Sequence, residues 1–141
     1  SAWGKMTNYE IANRIPFMIS APGMEPGRTK SFAALLDVYP TLCDLAGIEP
    51  PTHLEGVSLV PELTDSAASV KDVKFHEYSR YKNDFMGHAV RTDRYRYVRW
   101  TDRNGELVAE ELYDLESDPM EMSNLSEEQP DKASELATLL R

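Results

Sequence analysis

The chain has 141 residues, 41% of them hydrophobic, with 15 lysines and arginines against 24 aspartates and glutamates for a formal net charge of -9. That length suits one modest domain around a single core and is short for a large enzyme, while the acidic balance disfavours nucleic-acid phosphates and anionic membranes as partners. No apolar stretch approaches the roughly 20 residues needed to span a bilayer, and the lone Cys43 excludes an internal disulfide and a cysteine-rich metal site.

Residues Ser1 to Glu10 show neither an initiator methionine nor a leader and read as the continuation of a longer polypeptide. Within them, Trp3-Gly4-Lys5 joins an aromatic, a pliant backbone and a cation, which suits an anion-binding loop. Thr7 to Asn13 has capping-box spacing, Thr7 with Glu10 three residues on, and predicts a short helical turn ended by Pro16. Phe17-Met18-Ile19-Ser20 reads as a buried strand closed by the turn pairs Pro22-Gly23 and Pro26-Gly27.

From Ser31 to Ile48, Phe32, Leu35, Leu36, Tyr39, Leu42, Leu45 and Ala46 recur at the period of an amphipathic helix, with Gly47 suited to its end. Pro40 inside that pattern predicts a kink or two helical pieces, the second starting near the proline. Residues 49–72 are rich in turn formers and predict a connection holding one helical turn around Val57-Leu63.

Four β-prone runs follow, Val73-Tyr78, Gly87-Arg91, Tyr95-Trp100 and Leu107-Tyr113, and their close spacing predicts a small antiparallel sheet. Asn104-Gly105 marks a hairpin between the last two. Asp131 to Leu140 then repeats Ala133, Leu136, Ala137 and Leu140 at helical spacing behind Pro130, so a C-terminal helix should cover one face of the sheet. The fold class expected is therefore α+β, about four antiparallel strands packed by a C-terminal helix, with a boundary near residue 70.

Several of these segments, taken in order, resemble one family. Trp3-Gly4-Lys5 through Asn8-Tyr9-Glu10 to Arg14-Ile15-Pro16-Phe17-Met18-Ile19-Ser20-Ala21-Pro22-Gly23 is similar to the late part of the sulfatase catalytic domain, within the alkaline phosphatase superfamily. Leu36-Asp37-Val38-Tyr39-Pro40-Thr41-Leu42-Cys43-Asp44-Leu45-Ala46-Gly47 and Leu54-Glu55-Gly56-Val57-Ser58-Leu59 resemble the helix and turn that precede the family's C-terminal subdomain. Glu111-Leu112-Tyr113-Asp114-Leu115-Glu116-Ser117-Asp118-Pro119 is similar to the end of its small sheet, and Met86-Gly87-His88-Ala89-Val90-Arg91-Thr92-Asp93 resembles the iduronate-sulfatase and choline-sulfatase-like branch.

The resemblance implies residues 1–69 as the tail of the large α/β sulfatase domain, contributing helix and strand segments, and 70–141 as the C-terminal sheet subdomain. It implies hydrolysis of sulfate esters, of a sulfated carbohydrate or another small molecule, by a parent whose formylglycine and calcium are held by residues outside this chain. No cofactor is expected on the chain alone, which should be inactive without the N-terminal sulfatase domain as its partner. By family analogy the setting is periplasmic or extracellular. Two other readings stay open: a non-catalytic module that binds a sulfated glycan or a protein, and a fragment of a phosphate or phosphonate ester hydrolase.

Lys5 matches the family lysine that contacts the sulfate and supports the leaving oxygen. An ammonium there would stabilise developing charge. Trp3 would wall the substrate pocket or serve as interdomain packing. His88 is a candidate polar contact to the unsulfated part of the substrate or a satisfied structural histidine, and Arg80 could clamp a substrate carboxylate. Arg91, Arg94, Arg96 and Arg99 read as solvated sheet residues, His53 and His76 as structural or surface groups, and no residue is expected to bind a metal.

Overall fold

A computed structural model describes residues 6–140 of the chain. They form two compact units, one combining the N-terminal residues up to Ile15 with Phe75 onward, the other running from Pro16 to Lys74. The contacts thus join the first described residues to the sheet rather than to the helical stretch that follows them.

The first unit is built on four strands in the spatial order of the sequence: β1 Lys74–Arg80, whose first residue closes the other unit, β2 Phe85–Arg91, β3 Tyr95–Asp102 and β4 Leu107–Asp114. Their bounds follow the four β-prone runs closely, because short turns join runs rich in β-branched and aromatic residues. β2 and β3 are antiparallel with Gly87 opposite Trp100, Ala89 opposite Val98 and Arg91 opposite Arg96. β3 and β4 are likewise antiparallel, with Arg96 opposite Tyr113 and Val98 opposite Glu111. At the β3–β4 hairpin, Gly105 takes φ +83° and the Asp102 carboxylate accepts the Asn104 and Glu106 N–H groups.

A helix over Pro130–Ala137 buries Ala133 and Leu136 and packs on β3 and β4, where Tyr97 and Leu112 are fully buried. It begins at Pro130, proline being well suited to the first helical position. The opposite face of the sheet carries Ala89, Val98 and Trp100, with Tyr78 and Phe85 packed against them.

The N-terminal stretch corrects the expectation of a capped turn at Thr7. The short helix, α1, spans Glu10–Asn13, and no side chain caps it. The Glu10 carboxylate, which a capping box would have used, instead meets two arginines of the sheet.

In the second unit, a 3-10 turn over Leu35–Asp37 leads into α2, Val38–Leu45, with Pro40 in its first turn, and a short helix α3 spans Val60–Thr64. Gly47 takes φ +65° just past α2, as a helix-ending glycine does. The polar hub of this unit is Asp37, fully buried, whose carboxylate accepts the Ala34 and Val57 N–H groups and the Lys71 ammonium at 2.6–2.7 Å. Thr41 ties the hub to the next segment, donating to the Asp37 carbonyl and accepting the Leu59 N–H.

Two expectations fail here. Phe17–Ser20 is not a strand: no neighbouring strand supplies a hydrogen-bond ladder, and Met18 is 89% exposed. The apolar stripe of the 3-10 turn and α2 is not their buried face either, since Leu35, Tyr39 and Leu42 are exposed while Asp37, Thr41 and Cys43 are buried. Periodicity locates a helix's apolar face but not what covers it.

Candidate functional site

Alternation along the strands separates the two candidate contacts in the sheet. Arg80 sits on the Trp100 face, its guanidinium 4.6 Å from the centre of the indole ring. His88 pairs across the strands with Arg99, which alternation turns away from Trp100, and its Nδ1 lies 3.2 Å from the Glu77 carboxylate. Arg80 and His88 therefore belong to opposite faces of the sheet and do not converge. Lys5 and Trp3 lie outside the described residues.

The Trp100 face is the one that the N-terminal segment covers. Asn8 is 1% exposed and donates through Nδ2 to the Gly87 carbonyl at 3.0 Å. A Cβ on Gly87 would stand 2.7 Å from the Trp100 ring and 2.8 Å from Asn8 Nδ2, so this close approach requires glycine. Beside it, the Glu111 carboxylate accepts from the Tyr9 hydroxyl at 2.8 Å, the Trp100 Nε1–H at 2.8 Å and the Tyr113 hydroxyl at 3.2 Å. Tyr9 and Tyr113 meet edge to face at 5.8 Å. Burial pushes both phenols up, with Glu111 adding to the shift by favouring the protonated form.

At the far end of the same face lies the feature that strand alternation alone did not reveal. Arg96 is fully buried rather than solvated. Its Nε donates to Glu121 Oε1, its Nη1 to the Asn8 carbonyl and its Nη2 to Glu10 Oε1, each at 2.5 Å. Arg91 Nε adds a bond to Glu10 Oε1 at 3.0 Å, and Glu121 accepts the Glu10 N–H at 2.7 Å. Glu121 reaches inward from a left-handed backbone, φ +55°, and burial pushes its carboxyl up against the opposing pull of Arg96. The signal present in the sequence was Glu10 itself, an acidic residue in the segment that covers the face.

Beside Arg80, the loop linking β1 to β2 places Tyr81, Lys82 and Asn83 in succession at φ +51°, +57° and +71°. Three consecutive left-handed residues without a glycine store strain, and such strain collects at ligand-facing segments. Tyr81 is 73% exposed and meets Phe85 edge to face at 6.0 Å.

Among the described residues, no three His, Cys, Asp or Glu side chains are grouped so that they could hold a metal ion. Cys43 is buried and free, and His53 and His76 join no such group. The segment thus does not fit a calcium site, and no chemical step is assigned to a metal on it.

Residues 2–140 match the family described as N-sulphoglucosamine sulphohydrolase, C-terminal. The chain is 32% identical over 145 residues to arylsulfatase K of Mus musculus, covering 97% of this chain and 26% of the relative. Against choline-sulfatase of Rhizobium meliloti it is 38% identical over 128 residues, covering 89% of this chain and 24% of the relative. A solved structure in complex with its substrate, D-glucosamine-2-N,6-O-disulfate, aligns with a TM-score of 0.61 at 28% identity, over 74% of this chain and 22% of that one. The chain spans about a quarter of the length of the curated relatives it matches.

Proposed function

Because the chain belongs to the family of N-sulphoglucosamine sulphohydrolase C-terminal segments, we propose that it works as the C-terminal part of a sulfatase that hydrolyses the sulfate ester of a sulfated sugar. The observation that carries the sugar reading is the likeness to a structure holding a disulfated glucosamine. The quarter-length span supports its working within a larger polypeptide, and the segment alone should not turn over substrate.

In such a reaction the S–O bond to the alcohol breaks, and negative charge develops on the departing oxygen. Lys5, the residue of the Trp3-Gly4-Lys5 motif, stabilises that charge by contact with the sulfate and the leaving oxygen. Residues outside this segment would hold the formylglycine and calcium that the family resemblance implies; when present, these would supply the nucleophile that bonds to sulfur as the alcohol leaves. Arg80 binds an anionic group of the sugar, and its stacking on Trp100 supports this reading because the ring restrains a planar fork that would otherwise lose rotamer freedom on binding. The strained loop at 81–83 beside it is a further support. Trp3 forms a wall of the pocket, whereas His88, on the other face and beside Glu77, is a structural histidine.

The test is release of inorganic sulfate by the full-length protein from N- and O-sulfated glucosamine and from choline sulfate. The sugar should be the better substrate, and Arg80→Ala should raise its KM about 10-fold while kcat holds, the pattern of lost ground-state binding. Preference for choline sulfate contradicts the sugar reading, and an unchanged KM in Arg80→Ala contradicts the role given to Arg80.

A further inference from the structure

We infer that Tyr81 is a binding residue for a second sugar: its ring stacks on an acidic unit adjoining the sulfated one, so that the substrate is an oligosaccharide, which deepens and rests on the sulfated-sugar reading above.

Tyr81 and Arg80 stand on one aromatic base. Arg80 lies over the Trp100 ring at 4.6 Å, and Phe85 packs against the cluster that Trp100 forms with Ala89 and Val98. Tyr81 meets Phe85 at 6.0 Å with the two rings nearly perpendicular, at 82°. Edge-to-face packing of this kind orients a ring through a single contact. Here it leaves most of the tyrosine open, 73% exposed, directly after Arg80 in the chain. Consecutive Cα atoms lie about 3.8 Å apart, so a sugar held by Arg80 has its neighbour within reach of the Tyr81 ring.

The backbone presents that ring at a cost. Tyr81 takes φ +51° and Lys82 φ +57°, a region that asparagine tolerates and that a tyrosine or lysine rarely adopts. A hairpin that had only to reverse the chain would be served better by glycine or asparagine at these positions. A disfavoured conformation kept at an exposed aromatic points to a segment that faces a ligand.

The chemistry of the loop selects the occupant. A pyranose has an apolar face of C–H groups, whose slight positive charge suits the negative face of an aromatic ring. Stacking on tyrosine also orders little, since only two side-chain torsions are fixed. The surrounding charges favour an acidic sugar. Stacking on Trp100 engages the flat of the Arg80 guanidinium, and its N–H donors lie in the plane, where they can meet an anion. Lys82 is exposed beside Tyr81, while Asp84, the acid of the same loop, is paired with Arg103 and does not oppose a second anion.

The test uses the full-length protein and one sulfated glucosamine offered in two forms, as the monosaccharide and linked to a hexuronic acid, with kcat/KM read from release of inorganic sulfate. The disaccharide should be preferred about 10-fold, the scale of one well-placed aromatic contact. Tyr81→Ala should bring that preference to within about twofold of parity, whereas Tyr81→Trp, which keeps a broad ring, should preserve it. Because Tyr81 is largely exposed, neither substitution should disturb folding. A preference that survives Tyr81→Ala would overturn the inference, as would equal kcat/KM for the two forms in the unaltered protein, and either result would leave the sulfated-sugar reading intact. Release of sulfate from neither form would overturn that reading and the inference with it.

Discussion

Asp114 ends β4 and accepts two bonds from Arg94, from Nε at 3.0 Å and Nη2 at 2.7 Å. The Arg94 guanidinium, helped by the Glu116 backbone N–H, holds the Asp114 carboxyl down to about 2 against the opposing effect of burial. A carboxyl depressed in the folded state contributes stability that is complete above its ordinary value near 4 and is lost as pH falls through about 2. The thermal midpoint should therefore drop more steeply between pH 4 and pH 2 in the parent chain than in Asp114→Asn; parallel curves would remove this pair from the acid response. Asp114 was legible only as part of a family-like segment, because nothing in local spacing says that Arg94, twenty positions earlier, lies beside it. Arg96 was misread for the same reason. Alternation assigns a residue to a face of the sheet, and the cover on that face came from residues 6–13, more than eighty positions away.

Turn chemistry and strand periodicity are local, and the elements they govern were read with close boundaries: the four strands, the Asn104-Gly105 hairpin and the C-terminal helix. Elements that depend on distant cover were not. Phe17–Ser20 has strand composition without a strand to pair with, and α2 exposes the stripe that its period marks as apolar. The β1–β2 loop carries the turn formers Asn83 and Asp84 but no glycine, so nothing in the sequence marks Tyr81 and Lys82 as left-handed, and that run emerges only in three dimensions. If that strain serves binding, relief should stabilise the protein and weaken substrate affinity together. Lys82→Gly should raise unfolding free energy by up to about 1 kcal/mol once the greater freedom of unfolded glycine is subtracted, with a higher KM for the sulfate ester. Added stability with KM unchanged would make the loop a plain connection.

On the scale of the molecule, two compact units divide the work. The sheet unit grips the segment that follows Lys5, and the helical unit, organised around the buried Asp37–Lys71 pair, displays Leu35, Tyr39 and Leu42 outward. Domain class and family were readable from the order of short motifs spread along nearly the whole chain, whereas the grouping of residues up to Ile15 with the sheet was not, because the intervening 59 residues form a unit of their own. The central proposal is sulfate-ester chemistry in the protein to which this segment contributes. The most direct measurement compares kcat/KM of the full-length protein for the sulfate and phosphate monoesters of one alcohol. The sulfate ester should be hydrolysed faster by about 100-fold or more, the scale of discrimination that a site built for one group achieves. Equal rates, or a preference for the phosphate, would contradict it.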